Sequence, residues 1–287
     1  MLKVKPPANY FGGKAGPIGA LIASLLPEHK IYVEPFGGMG GVLFHKKPSL
    51  VEVYNDADSR IVNLFRVLRC AKDAKNLLAM IKLTPYSREC YIEAHEVLRH
   101  AGKEQSIRTA WATYLAISLA TQPSMRLNGF RFGGPNFQSS VARMWKTRNT
   151  NLEQITERIT DWVIENQEAT KVMVRYNQPD CLIYCDPPYV HSTRNQIRVV
   201  KKVRDYHHEM DDVEHEIFLM VASGLKAKCL ISGYNNELYS RMLKGWSKLE
   251  VPVTSGIAAA NCRDDDNGAR MEVIWANFPL EQQLQIF

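Results

Sequence analysis

One short run in this chain has residue types and spacing that could do chemistry: Asp186-Pro187-Pro188-Tyr189, directly after the apolar stretch Cys181-Leu182-Ile183-Tyr184-Cys185. An apolar run with Pro-Asp before it and two prolines after it predicts a buried strand that stops abruptly. Proline has no N–H to give to a sheet ladder, so the chain must turn out where a parallel strand would end. In open α/β sheets that carboxyl edge is where ligands sit. A carboxylate, a rigid turn with free carbonyls and an aromatic face are presented there together. Such a set suits a flat, amino-bearing ring better than a phosphate or a metal. Asp-Pro-Pro alone would equally end an ordinary strand; Tyr189 and the surrounding pattern argue for a site.

The elements that must position this run begin upstream. Ile31 to Glu34 reads as a strand, followed by the turn Pro35-Phe36-Gly37-Gly38-Met39-Gly40-Gly41. Val51 to Tyr54 is a second strand ending at Asn55-Asp56, and Ala57 to Arg69 is helical, with Ile61, Leu64, Phe65 and Leu68 on one face. This is a βαβ unit with a glycine-rich first turn. Gly37–Gly41 fits neither GxGxxG nor GxxxxGK[ST], so no pyrophosphate or triphosphate cradle is indicated. The turn does let a ligand approach the backbone closely. About twenty residues on, Asp56 stands where an acid can bind ribose hydroxyls. The pair suggests an adenosine-bearing cofactor without phosphates. Asn9-Tyr10-Phe11-Gly12-Gly13-Lys14 reads either as a plain terminal turn or as an aromatic and a lysine that close over a cofactor.

Downstream, Cys70 to Thr121 is helical in pattern, with Ala110, Tyr114, Ile117 and Leu119 around Trp111, and Gln122 to Asn149 is irregular. A loop that long inside a compact domain is usually functional or disordered. Strand-helix alternation resumes near Asp161. A helix from Asp211 to Leu225 is expected to bury the stripe Val213, Ile217, Val221 and Leu225, followed by strands at Cys229–Ser232 and Met271–Trp275. The expected fold is therefore α/β, a doubly wound, mostly parallel sheet with an inserted, mainly helical region. Its catalytic and cofactor-binding part spans 1–70 and 161–287, and the insertion spans 71–160.

Other candidates reduce to structure. His207, His208 and His215 lack HExxH order and read as helix-entry surface; Arg263 to Gly268 lacks EF-hand spacing and reads as a polar turn. Six cysteines form no CxxC or zinc pattern, so reduced structural thiols and no metal are expected. Cys181 and Cys185 share a strand face but lie too far apart in extended chain to bond. The N-terminus has charge but no apolar core for a leader, and the stretch around Trp111 to Ala120 is too short for a membrane span. A cytoplasmic protein without a membrane or an obligate protein partner is expected.

The composition is that of a soluble globular chain: 287 residues, 45% apolar, 23% charged, net +6. The distribution of charge is more telling. Gln105 to Leu152 contains no Asp or Glu but holds Arg108, Arg126, Arg131, Arg143, Lys146 and Arg148. Pro187 to Arg204, also free of acids, holds Arg194, Arg198, Lys201, Lys202 and Arg204. With eleven positive charges in these two segments, the rest of the chain is net −5 against a total of +6. Such segregation marks a polyanion partner, the alternative being a solvated basic face. Phe130, Phe132, Phe137 and Trp145 interleave with the arginines, which favours nucleic acid.

NYFGGK, VEPFGGMGG, the acid of YNDAD and DPPYV, in this order with a long insertion before DPPY, resemble the Dam-type, DPPY-class DNA adenine-N6 methyltransferases, especially phage-borne members. DYHHEM, CLISGYNNELY and ARMEVIWANFP resemble later strands of that family, and the likeness covers most of residues 8 to 279. It implies a Rossmann-like methyltransferase fold, S-adenosyl-L-methionine as cofactor, and methylation of a flipped adenine in double-stranded DNA. Cofactor contacts would come from Tyr10, Lys14, Glu34, Pro35, Phe36, Gly37, Gly38, Gly40, Asp56 and Asp186. Tyr10 departs from the tryptophan of many members. Asp186, Pro187 and Tyr189 would be catalytic. DNA contacts would come from Arg126, Arg131, Arg143, Lys146 and Arg148 in the target-recognition insertion, and from Arg194, Arg198, Lys201, Lys202 and Arg204 after the site. The residues leave two other readings: a methyltransferase for cytosine N4, RNA or a protein amide, and a non-catalytic DNA-binding protein on the same scaffold.

Overall fold

The computed structural model describes residues 4–8, 10, 12–102, 104–122, 125, 127–131, 145, 152–189, 210–253 and 270–280. Its centre is a seven-stranded sheet: β1 (Ile31–Glu34), β2 (Val51–Asn55), β3 (Val163–Glu165), β4 (Cys181–Cys185), β5 (Lys228–Gly233), β6 (Ser247–Val253) and β7 (Arg270–Ala276). The order is β3-β2-β1-β4-β5-β7-β6. β1 pairs in parallel with both β2 and β4, and β3 and β5 extend the parallel run outward. β7 enters antiparallel between β5 and β6. The mixed α/β, mostly parallel sheet is as the sequence predicts; β6, not singled out in the sequence, is an edge strand whose Pro252 obscures its alternation of Leu249, Val251 and Val253 with polar residues. The chain order reverses between β1 and β4, so the crevice at their carboxyl ends is the expected ligand position.

Strand parity explains both layers. Tyr32, Tyr54, Leu182, Tyr184, Leu230 and Ile274 face one core, while Val33, Val53, Ile183, Ile231 and Val273 face the other. Every residue of β4 is buried, because helices cover both faces of the sheet and a continuous apolar run is then favoured. Cys181, Cys185 and Cys229 are free and buried in this interior, and burial pushes the Cys181 thiol up to about 12. They act as small hydrophobes.

On the first face pack α1 (Pro17–Ser24), α2 (Gly41–His45), α3 (Ser59–Arg69), α4 (Ala71–Leu83), α5 (Arg88–Arg99), α6 (Ile107–Leu119) and α7 (Leu152–Ile159). α3 starts at Asp58, whose side chain accepts the Arg60 N–H, and buries Ile61, Leu64, Phe65 and Leu68 as the periodicity predicts. α6 is buried on every side from Thr109 to Leu119, between α3, α4 and α5. The described helices of the 71–160 segment thus share one continuous core with the sheet through α3. Buried Glu52 on β2 accepts hydrogen bonds from Lys46 (2.6 Å) and Trp162 (2.9 Å) and pairs with Arg158, tying α7 to the sheet. No helix among the described residues is long and apolar enough to cross a membrane.

On the second face lie α8 (Ala169–Arg175), α9 (Asp212–Ser223) and α10 (Glu237–Met242). Here the expected stripe is corrected. α9 buries His215, Phe218, Leu219 and Ala222, and Val221 and Leu225 pack half-buried against the same core, whereas Val213 and Ile217 are 64% and 49% exposed. The aromatic Phe218, packed edge-on against Phe36 at 5.5 Å, fixes the rotation of the helix. His215 is therefore not helix-entry surface; it is fully buried with Nδ1 3.0 Å from the Tyr239 hydroxyl. The acids before it form a capping box, in which Asp211 accepts the Glu214 N–H and Glu214 accepts the Asp211 N–H, each at 2.8 Å.

Candidate active site

At the carboxyl edge of β1, β2 and β4 opens a cavity of about 330 Å³, lined by residues 12–15 and 34–39, by Asp56, Asp58 and Glu168–Thr170, and by Tyr184, Asp186, Met210 and Ile217. The glycine turn forms its floor because the next strand clamps it. The Gly37 N–H donates to the Asn55 carbonyl (2.7 Å), the Asn55 amide to the Pro35 carbonyl (2.7 Å), and the Tyr54 hydroxyl to the Gly38 carbonyl (2.7 Å). A Cβ at Gly37 would stand 2.3 Å from the Tyr54 ring, so only glycine fits there.

Asp56 caps this arrangement. Its oxygens accept the Gly38 N–H at 2.8 Å and the Asp58 N–H at 2.7 Å, leaving further lone pairs for a ligand. Burial raises its pKa to about 6, the N–H bonds holding back a larger rise. Tyr10, Lys14, Glu34, Pro35, Phe36, Gly37, Gly38 and Asp186 also line the cavity. Glu34 is 2% exposed, accepts the Tyr32 hydroxyl at 2.9 Å, and is pushed to about 8 by burial. Gly40 lies outside the cavity wall; at φ 71° it is the left-handed residue that starts α2.

Across the cavity, Asp186 leaves β4 in a dense polar cluster. The Lys14 ammonium donates to both of its oxygens (2.8 and 2.9 Å) and to the Tyr189 hydroxyl (3.2 Å). Ser232 donates to Asp186 Oδ1 at 3.0 Å and meets the Tyr184 hydroxyl at 2.8 Å. Lys14 also lies 3.3 Å from Glu272 Oε1. Burial alone would lower the pKa of Lys14, but Asp186, Tyr189, Tyr184 and Glu272 hold it well above the lysine range. Burial and the nearby Asp186 raise that of Glu272, against the pull of Lys14. The Tyr189 ring packs tilted against Tyr234, centroids 4.4 Å apart and planes at 37°.

Ser232, Tyr234 and Glu272 are site neighbours that the sequence reading does not single out. One signal was present: Glu272 is a lone acid within the apolar run of β7, and because β7 is antiparallel its first residues lie at the edge where β4 and β5 end. Among the expected DNA contacts, Arg131 is half-buried, with its carbonyl accepting the Tyr86 hydroxyl at 2.6 Å. Arg126, Arg143, Lys146, Arg148, Arg194, Arg198, Lys201, Lys202 and Arg204 lie outside the described residues, as do Phe132, Phe137, His207, His208 and the 263–268 turn. Trp145 is 8% exposed and packs against Tyr86 and Tyr114, so this aromatic belongs to the core rather than to a nucleic-acid surface.

The family model of the D12 class N6 adenine-specific DNA methyltransferases matches residues 10–255, spanning both halves of this site. The chain belongs to that family. It is also similar to the Type II methyltransferase M1.LlaDCHI of Lactococcus lactis subsp. cremoris, 24% identical over 292 residues and covering 96% of each chain. The reaction of this D12 methyltransferase is methylation of the adenine N6 amine in DNA, which sets aside the cytosine, RNA, protein-amide and non-catalytic readings.

Proposed function

We propose that the enzyme uses S-adenosyl-L-methionine in the 330 Å³ cavity and methylates an adenine swung out of duplex DNA against Asp186 and Tyr189. The observation that carries this is the opening of Asp56 and Asp186 onto one cavity from opposite sides. The lining fits the cofactor. Lys14 is its single basic residue among those described and is held by Asp186, so nothing there awaits a phosphate. Asp56 has acceptor capacity for a ribose diol, Phe36, Met39 and Met210 offer apolar walls, and the carboxylates suit a cationic ligand. When bound, this cofactor supplies an electrophilic methyl group on a sulfonium.

The chain must then make a poor nucleophile competent. The lone pair of the adenine amine is delocalised into its ring. A carboxylate, with a reference pKa near ~4, is far too weak a base to deprotonate it beforehand. Asp186 and the Pro187 carbonyl act instead as acceptors for the two N–H bonds, which favours a pyramidal nitrogen with its lone pair free. As the nitrogen becomes cationic, Asp186 stabilises the charge and takes the departing proton on its way to solvent. Losing such a preorganised partner typically costs about 10²–10³ in rate. Extruding the base costs a few kcal/mol; stacking on Tyr189 offsets about 1–3 kcal/mol of it. Segment 71–160 is the target-recognition region in this reading. The arginines and lysines of 126–148 and 194–204 divide between reading bases and holding phosphates.

The test is incubation of the pure protein with methyl-labelled cofactor and varied duplexes, followed by nucleoside analysis. Labelled 6-methyladenine is expected from the wild type. Asp186→Ala should give none while still binding cofactor; turnover by that variant would remove Asp186 from its role.

A further inference from the structure

Resting on that reading, one conflict in the site needs resolving. Both oxygens of Asp186 are engaged by Lys14, at 2.8 and 2.9 Å, and Oδ1 also accepts Ser232. The Lys14 and Ser232 bonds fill Oδ1, while Oδ2 keeps one lone pair for an incoming amine. An ammonium held on Asp186 nonetheless opposes the positive charge that develops on that amine, and its withdrawal relieves the opposition. Lys14 is 4% exposed, so it cannot withdraw into water. Among the described residues one other carboxylate is in reach. Glu272 Oε1 lies 3.3 Å from Lys14 Nζ, its side chain is 6% exposed, and this oxygen has no hydrogen-bond partner among the described residues. Its other oxygen lies 3.4 Å from the Tyr189 hydroxyl, on the residue that would receive the base.

We propose that Glu272 is a positioning residue for methyl transfer: it receives the Lys14 ammonium when the target amine takes Oδ2 of Asp186. The resting site is then a closed ion pair, and entry of the base hands Lys14 from one carboxylate to the other. The exchange keeps a cation between the two acids at all times. A buried acceptor without a hydrogen bond is otherwise costly, and its use as a destination for Lys14 accounts for its persistence here. Glu272 touches neither amine nor cofactor in this scheme; it acts through Lys14. To receive the ammonium it must be ionised, and the charged or titratable groups facing it among the described residues are Lys14, Asp186, Tyr189 and Tyr184. Turnover should therefore rise with pH on an acidic limb that belongs to Glu272.

The experiment compares wild type, Glu272→Gln and Glu272→Asp for kcat, the KM for DNA, cofactor affinity and the pH profile of kcat. Glu272→Gln keeps the shape but cannot attract the ammonium. Its kcat is expected to fall by about 10- to 100-fold, the loss of one charged hydrogen bond. The KM for DNA and cofactor affinity should stay within about twofold, and the acidic limb should vanish. Glu272→Asp retains charge, so it should recover much of kcat and keep the limb. Should the glutamine variant fail to fold, the aspartate variant carries the test through that limb. Wild-type kcat and an unchanged limb in Glu272→Gln would overturn the handover, as would loss of the limb in Glu272→Asp. The reading beneath it stands or falls separately, by whether the wild type makes 6-methyladenine at all.

Discussion

Replacing Lys14 by methionine removes the cation shared by the buried carboxylates Asp186 and Glu272 while keeping the length of the side chain. The ammonium lies 2.8 Å from Asp186 and 3.3 Å from Glu272, with side-chain exposures of 4%, 17% and 6%. At an effective dielectric near 20, attraction over these distances is about 6 and about 5 kcal/mol. Most of that offsets the cost of taking three charges out of water, and breaking a buried pair from one side costs about 3–5 kcal/mol net. The loss should depend on pH with a definite sign. Two adjacent acids with no cation cannot both stay ionised, so the folded variant holds a proton that its unfolded chain releases. A raised folded-state pKa gives stability that is present at low pH and lost as pH rises, by up to about 1.4 kcal/mol per pH unit. Urea unfolding of both proteins should show a deficit near the full value at about pH 8, shrinking by roughly half at about pH 5. An equal deficit at both pH values, or none, would mean that the three groups do not form the electrostatic unit described.

Asp56→Ala should weaken cofactor binding by about 10- to 100-fold, since a hydrogen bond to a charged group is worth about 1.5–3 kcal/mol. Because burial raises Asp56 to about 6, wild-type affinity should fall as pH drops through that value and the variant's should not; calorimetric titration at several pH values decides it, and unchanged affinity refutes the ribose role. Glu34 bears on stability. With a pKa of about 8 against the ordinary 4.5, it holds its proton only in the fold, so its contribution is full below 4.5 and lost as pH rises towards 8. Glu34→Gln should remove that slope and gain roughly 3 kcal/mol on wild type between about pH 5 and 8; parallel curves in denaturant series would contradict it. Gly37→Ala places a Cβ 2.3 Å from a Tyr54 ring carbon and 2.8 Å from the Asn55 carbonyl. It should cost about 1–3 kcal/mol in thermal unfolding and loosen cofactor binding, and an unaltered melting temperature would refute the close approach.

Local signals made β1, β2, β4 and α3 legible, since each combines a clean apolar period with a definite stop. Asp186, Asp56 and the glycine turn were legible as residues, because strand ends in a parallel sheet have a predictable edge. Glu272 was harder. Its place in the site depends on β7 running antiparallel, which follows from pairing with β5 and not from any pattern within 271–275. The rotation of α9 departs from its periodicity for a related reason. Val213, Ile217 and Val221 form a good stripe, yet Phe218 and His215 fill the larger space against Phe36 and Tyr239, and volume outranks periodicity.

The same parity that builds the core also assembles the site. Glu34, Asp56, Asp186, Ser232 and Glu272 are in register with Tyr32, Tyr54, Tyr184, Leu230 and Ile274, the residues of the first sheet face. Each is the next or nearly next outward position in line with its strand, where apolar packing gives way to the carboxyl edge. Glu34, Ser232 and Glu272 lie on their strands and Asp56 and Asp186 one residue beyond theirs, so five polar groups converge at the ends of five strands, and Lys14, brought over that face by the N-terminal segment, neutralises those nearest to it. A one-residue slip of β4 would send Asp186 to the opposite face and Cys185 into its place. The steep geometric demand of aligning an amine with a methyl donor is met in this design by backbone register, the stiffest coordinate a sheet has, and the buried hydrophobic side chains that lock the register are in that sense part of the catalytic apparatus.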